Sequence, residues 1–268
     1  MIQLKNIETL KGLVSKYFNS STITNNYILL NDYLQYIAEN RLSYVAYGSN
    51  VGFLLQKSDF YQLYYYINDR NVLLSFDVDN PITMEILYRG ESNKPNEIIE
   101  YWERCGFKQH ILRVHMVAQY SQMNFFPENE EVIVSYAKTE EEIVFAKGLI
   151  ENAFDKYTGQ QVLTLEDARN LAAKRNILCA YYEGKLCGTI TFEIKNNIVV
   201  WTSLVVSEGF RGKGVAMKLM QTYFRLNSKG PDTRYTLWVK YDNTAKNIYQ
   251  RSGFVYDNKF SMSMLKEN

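Results

Sequence analysis

Residues 206–220 read VSEGFRGKGVAMKLM, and here Arg211, Gly212, Lys213, Gly214, Val215 and Ala216 join paired glycines, paired cations and the start of an amphipathic run. A helix start leaves about four backbone N–H groups without intrahelical partners, at the positive end of the helix dipole. Gly212 and Gly214 carry no Cβ to block an approaching ligand, and they permit positive φ. Arg211 and Lys213 supply charge, so the segment is suited to a pyrophosphate. The plainer reading is a turn between a strand and a helix.

Spacing excludes two familiar phosphate loops. A Walker loop ends in Gly-Lys-Ser/Thr, but Lys213 is followed by Gly214 and Val215. A dinucleotide fingerprint needs a third glycine where Met217 stands, and it needs a parallel βαβ unit. The strands before this loop read instead as an antiparallel meander.

What remains, Arg211-x-x-Gly214-x-Ala216, resembles the coenzyme loop of the GNAT superfamily of N-acetyltransferases. Downstream, DNTAKNIYQRSGF is similar to the family's second signature, with Ala245, Tyr249, Gly253 and Phe254 at its spacing. The order of elements over residues 131–265 matches as well: strand, helix pair, strand meander, loop and helix, strand, helix, strand.

The resemblance implies an α/β (α+β) fold, a mixed and largely antiparallel sheet flanked by helices. It implies acetyl-CoA as cosubstrate, direct acetyl transfer to the primary amine of an acceptor, and no metal. The backbone of Leu204, Val205 and Val206 would pair with the pantetheine arm as an added strand, and residues 211–216 would hold the pyrophosphate. A backbone N–H of the same strand would polarise the thioester carbonyl. Tyr249 falls where the family protonates the departing thiolate; its alternative is an aromatic packed on a helix. A free phenol titrates near about 10 and a thiol near about 8.5, so the transfer asks for little tuning.

The chain departs from the pattern at two places. Asp242 stands where the family usually has Asn, with Asn243 one place late; both are assigned to the coenzyme arm. Trp201-Thr202-Ser203-Leu204 carries no carboxylate to act as base. Glu193, on the preceding strand, is then the candidate, directly or through water. Alternation puts it on one face with Thr191 and Lys195, which a solvated face explains equally well.

The elements that must position these residues are legible in outline. Helices are expected at 138–154, with the capping pattern Thr139…Glu142, and at 163–175, with Thr164…Asp167, where Asp closes the box less well than Glu. Strands are expected at ILCAYYEG, KLCGTITFEIK and NIVVWTSLVVS, with turns at Glu183-Gly184 and Asn196-Asn197. Earlier, residues 6–18 and 26–40 read as helices. An aromatic strand meander follows, then a strand at PITMEILYRG, a helix at NEIIEYWERCGF and a strand at KQHILRVHMV. Residues 118–130, with Pro127, break both periods and mark a boundary between domains 1–120 and 128–268.

The end of the first half, NEIIEYWERCGF, echoes NTAKNIYQRSGF, with Trp102 in the tyrosine position. It has no glycine loop. The chain therefore resembles tandem members of the superfamily whose amino-terminal domain is degenerate. One coenzyme per chain is expected, with the first half walling one side of the acceptor pocket.

Lys+Arg of 30 against Asp+Glu of 29 gives no field favouring nucleic acid or an anionic membrane. Three cysteines and two histidines, without ligand spacing, point away from disulfides and metal. No secretory leader or apolar span is evident, so a cytoplasmic protein without membrane association is expected. Two other readings stand beside the enzyme. A non-catalytic acyl-CoA sensor fits the missing carboxylate. A tRNA-dependent aminoacyl transferase would need a basic groove and a damaged loop.

Overall fold

Threonine caps start the helices that back the second half's sheet. In the computed structural model, which describes residues 1–158 and 163–267, Thr139 Oγ1 accepts from the Glu142 N–H at 3.2 Å and Glu142 accepts from the Thr139 N–H at 2.7 Å. This reciprocal box opens α4 (Glu140–Ala153). Thr164 and Asp167 form the same box at α5 (Leu165–Ala173), each accepting the other's N–H at 3.1 Å. The shorter aspartate also closes the box, at a longer reach to the cap N–H than the glutamate has.

The chain forms two compact units. One comprises Met1–Leu112, with Tyr157, Thr158 and the C-terminal residues from Phe260; the other comprises Arg113–Lys156 and the later residues as far as Lys259. Two long strands, β7 (Lys108–Gln119) and β13 (Val255–Lys266), therefore contribute to both.

In the second unit the strands are β8 (Val132–Tyr136), β9 (Ile177–Tyr182), β10 (Lys185–Lys195), β11 (Ile198–Val206) and β12 (Arg234–Lys240). Their order is β7-β12-β11-β10-β9-β8, with residues 113–119 of β7 antiparallel to β12. Among the described residues of this unit, only β11 and β12 pair in parallel. The β9–β10 turn has positive φ at both Glu183 (51°) and Gly184 (74°), the backbone a two-residue hairpin needs. Between β11 and β12 lies α6 (Val215–Asn227); α7 (Lys246–Arg251) follows β12. Phe192, Trp201, Tyr223, Phe224, Tyr235 and Phe254 bury an aromatic core under α6. Ile143, Ala146, Ala168 and Cys179 pack under α4 and α5.

Gly188 permits the close approach of α6. A Cβ there would lie 3.1 Å from Leu219, Val215 and the Val205 carbonyl oxygen.

The first unit has α1 (Ile7–Tyr17), α2 (Leu30–Ala38) and α3 (Asn96–Arg104), with β1 (Ile2–Gln3), β2 (Ile23–Thr24), β3 (Leu42–Tyr47), β4 (Asn50–Gln56), β5 (Tyr61–Ile67) and β6 (Ile82–Arg89). Its order is β1-β3-β4-β5-β6-β13, with β2 beside β5. The second helix starts four residues later than the sequence pattern predicts. Asn26 explains this: its Oδ1 accepts from the Ile28 N–H at 3.2 Å, turning the chain before a helix can begin. The short β1 and β2 have no period long enough to be read from sequence. Trp102 is fully buried against Tyr65, Tyr101 and Phe107.

Candidate active site

The pairing of β11 with β12 runs only from Ile198↔Arg234 to Trp201↔Leu237. Beyond it, residues 202–206 keep β10 on one edge, while among the described residues no strand pairs with the other. The apex of this opening carries a bulge. Phe192 faces Trp201 and Thr191 faces Ser203, so Thr202 is the extra residue. A bulge bends its strand and strengthens the twist, which separates β11 from β12. It also changes which residues face which side. Trp201 packs with α6, while Ser203 turns with Thr191 to the α4 side, their hydroxyl oxygens 2.5 Å apart. Thr202 Oγ1 joins the same chain at 2.7 Å from Thr191 Oγ1.

The open edge of Leu204, Val205 and Val206 leads into the glycine loop. Gly212 (φ 78°) and Gly214 (φ 79°) both adopt the left-handed conformation, and Gly214 caps α6. A Cβ at Gly212 would meet nothing within 4 Å. Among the described residues, the N–H groups of 212–217 have no acceptor, so six consecutive backbone donors are left open around a helix start. Arg211 is exposed and only loosely approached by Glu208, at 4.0 Å. Lys213 is exposed and meets two neighbouring rings. Its ammonium lies 4.7 Å from the Tyr182 ring centre and 5.4 Å from that of Phe210. Val215 is buried in the helix contact, while Ala216 is half-buried.

Sequence reasoning missed the residue that pins this loop. Asn129 Nδ2 donates to the Lys213 carbonyl at 2.9 Å, and its Oδ1 accepts from the Glu131 N–H at 2.9 Å. No local pattern marks it, because its partner lies 84 residues away.

Tyr249 is brought to the apex. Its ring lies edge-on to Trp201 at 5.1 Å and to Phe254 at 6.3 Å. No group among the described residues hydrogen-bonds its hydroxyl, which is not itself buried. Burial of the ring pushes the phenol up to about 12. The Gly253-Phe254 step that closes α7 has its own steric reason. Gly253 has φ 103°, and a Cβ there would fall 2.5 Å from the Gln122 carbonyl oxygen.

The remaining predicted residues have partners of their own. Asp242 is exposed and pairs with Lys240 at 3.4 Å. Asn243 Oδ1 accepts from the Ala245 N–H at 2.9 Å, which turns the chain into α7. Glu193 lies across from Val200 on the solvated part of β10, 3.0 Å from Lys195. Among the described residues no cluster of His, Cys, Asp or Glu could hold a metal, and no helix is long and apolar enough to cross a membrane.

The first unit repeats the splayed pair but fills it. β5 pairs in parallel with β6 only at Tyr61↔Ile82 and Gln62↔Thr83. Further along, Asn25 Nδ2 donates to the carbonyls of Leu63 and Glu85, both at 3.1 Å, and Asn25 Oδ1 accepts from the Tyr65 N–H at 2.9 Å. Ile23 and Thr24 then pair with Ile67 and Tyr66. In this unit the chain's own segment occupies the β5 edge, the counterpart of the one that β11 leaves open.

Comparison with known families decides what this arrangement belongs to. Residues 134–261 match the acetyltransferase (GNAT) domain family. The second half of the chain is a GNAT-type acyltransferase domain. Solved structures of the same fold include a GCN5-related N-acetyltransferase from Sphaerobacter thermophilus, 16% identical, with TM-score 0.60 over 81% of this chain and 76% of that one. A tandem GNAT protein from the clavulanic acid biosynthesis pathway, solved without AcCoA, is 11% identical, with TM-score 0.58 over 99% and 97%. A GNAT-family acetyltransferase from Colwellia psychrerythraea is 14% identical, with TM-score 0.52 over 99% and 98%. These three likenesses concern the fold, and the last two cover nearly the whole chain. A search of curated proteins gave no match.

Proposed function

We propose that this GNAT protein transfers an acetyl group from acetyl-CoA directly to a primary amine, using one coenzyme site per chain. The observation that carries the reading is the continuity of the open β11 edge with the unpartnered N–H groups of 212–217. An extended pantetheine arm would add to Leu204, Val205 and Val206 as a strand, and its pyrophosphate would meet the helix start and Arg211. Gly212, Lys213, Gly214, Val215 and Ala216 supply the backbone of that cradle. Asp242 and Asn243 border the arm from the turn before α7.

At the apex, a β11 N–H polarises the thioester carbonyl as the tetrahedral oxyanion forms. Tyr249 has a refined role. With its phenol at about 12, well above a thiol's usual value, it stays protonated and serves as a hydrogen-bond donor to the developing thiolate. Full proton transfer to sulfur would be uphill.

A single coenzyme per chain follows from the Asn25 segment, which occupies the corresponding edge of the first unit. This supports a degenerate amino-terminal domain. A non-catalytic acyl-CoA sensor would bind acetyl-CoA equally well but release no thiol. Thiol release from acetyl-CoA against a panel of primary amines separates the two. Amine-dependent release supports the enzyme; tight binding without release from any amine favours the sensor.

A further inference from the structure

The base that takes the acceptor's proton is the part of this chemistry that the glycine loop and Tyr249 do not provide. Residues 201–204 carry no carboxylate, and Glu193 is half-exposed beside Lys195. The hydroxyls of Thr191, Thr202 and Ser203 are far too weakly basic to act alone near neutral pH.

One imidazole stands level with the apex. His115, on the part of β7 that belongs to the second unit, faces Trp238 across the β7–β12 ladder. Trp238 is one residue past Leu237, the last β12 residue paired with β11. Adjacent strands lie about 4.8 Å apart, so the His115 Cα is roughly 10 Å from the splaying edge, a gap that an amine with one water spans. Alternation fixes the side. Leu237 pairs with Trp201, whose ring packs on Tyr249, so Trp238 and His115 project from the opposite face.

Its surroundings suit a base. His115 Nδ1 lies 2.9 Å from Asp257 Oδ2, in a short but bent contact. The Trp238 ring centre is 4.7 Å from the imidazole. Nδ1 is enclosed, whereas Nε2 has no partner among the described residues and is not itself buried. A carboxylate at Nδ1 favours the tautomer that leaves the Nε2 lone pair free.

We propose that His115 is the base for the acetyl transfer inferred above, with Asp257 as the residue that positions it. The assignment rests on that reading of the reaction. His115 Nε2 first takes the extra proton of the ammonium acceptor; the freed nitrogen then bonds to the acetyl carbon, and its second proton passes through solvent to the departing thiolate. The C–S bond breaks, and its electron pair goes to sulfur, held by the Tyr249 hydroxyl. The imidazolium then returns its proton to solvent. Burial holds the imidazole below its ordinary value, against the pull of Asp257 and with help from Lys259 and Arg234. Asp257 also lies 3.1 Å from Lys259 and 4.0 Å from Arg234, and Arg113 sits over the other partner, the Trp238 ring, at 5.8 Å. The ring is thus neutral and able to accept a proton at neutral pH.

The test uses the full chain, acetyl-CoA and a pair of probe amines. Phenylethylamine is protonated at neutral pH and needs a base, whereas hydroxylamine is already free. His115→Gln should lower kcat/KM for phenylethylamine by about 100-fold or more, a typical general-base contribution. Hydroxylamine turnover should fall by less than a few-fold, and acetyl-CoA binding by titration should not change. Asp257→Asn should give an intermediate loss, and the acid limb of the rate profile should disappear in His115→Gln. Equal losses with both amines, or the selective loss appearing in Glu193→Gln instead, overturns the assignment. Imidazole 15N NMR decides independently of turnover: the Nδ1–H tautomer supports it, and a ring carrying its proton on Nε2 refutes it. Absence of acetyl-CoA binding in the parent would count against the coenzyme reading itself, which keeps the two failures apart.

Discussion

Replacing Tyr249 by Phe removes one oxygen and keeps the ring against Trp201 and Phe254. The hydroxyl has no partner among the described residues, so folding stability should change by no more than about 0.5 kcal/mol. The catalytic effect should be larger. A hydrogen bond to a charged group contributes about 1.5–3 kcal/mol. With a tenfold rate change for each 1.36 kcal/mol, kcat should fall roughly 10- to 150-fold. Acetyl-CoA affinity should stay the same, because sulfur is neutral in the bound thioester. The phenol titrates at about 12, so no alkaline limb from this group should appear below about pH 10. Thiol release measured against pH, with thermal unfolding of the same variant, tests each part. An unchanged kcat refutes the donor role, and a stability loss of about 2 kcal/mol or more shows that the hydroxyl serves the fold instead.

Glu142 links stability to pH. Burial opposes its charge, but the Tyr181 hydroxyl at 2.6 Å and the N–H groups of Lys138 and Thr139, both at 2.7 Å, outweigh it and hold the carboxyl below its usual value. Its contribution is therefore complete above the unfolded carboxylate's pKa of about 4.3 and is lost as pH falls through the lower folded value. Glu142→Gln should flatten that part of the acid-unfolding curve, and an unaltered curve would contradict the assignment. A chain beginning at residue 128 lacks residues 113–119, the antiparallel neighbour of β12. It should fail to fold cooperatively, which circular dichroism during heating would show; a sharp native-like transition would refute this.

The glycine loop and the threonine caps were legible because each rests on local backbone chemistry. Positive φ at Gly212 and Gly214, and reciprocal boxes at Thr139 and Thr164, need no distant partner. The bulge at Thr202 was not legible. One extra residue in a strand leaves its composition unchanged, and only the register with β10 reveals it. Asn129 was hidden for a related reason, since its hydrogen bond to Lys213 joins segments far apart in sequence. Lys213 has the charge expected of a phosphate ligand, yet the neighbouring rings of Tyr182 and Phe210 hold its ammonium. The Asn25 segment shows the same limit. The missing loop in the first half was readable, but not the side chain that fills the splayed pair.

The most direct measurement is isothermal titration of the intact protein with acetyl-CoA, beside Gly214→Asp. Aspartate tolerates the left-handed backbone better than most residues, and its Cβ would meet Asn129 only at an ordinary 3.4 Å. The variant should therefore stay folded while placing a carboxylate where the pyrophosphate belongs. One acetyl-CoA should bind per parent chain, and none detectably to the folded variant. Two coenzymes per chain, or equal binding by both proteins, would contradict it.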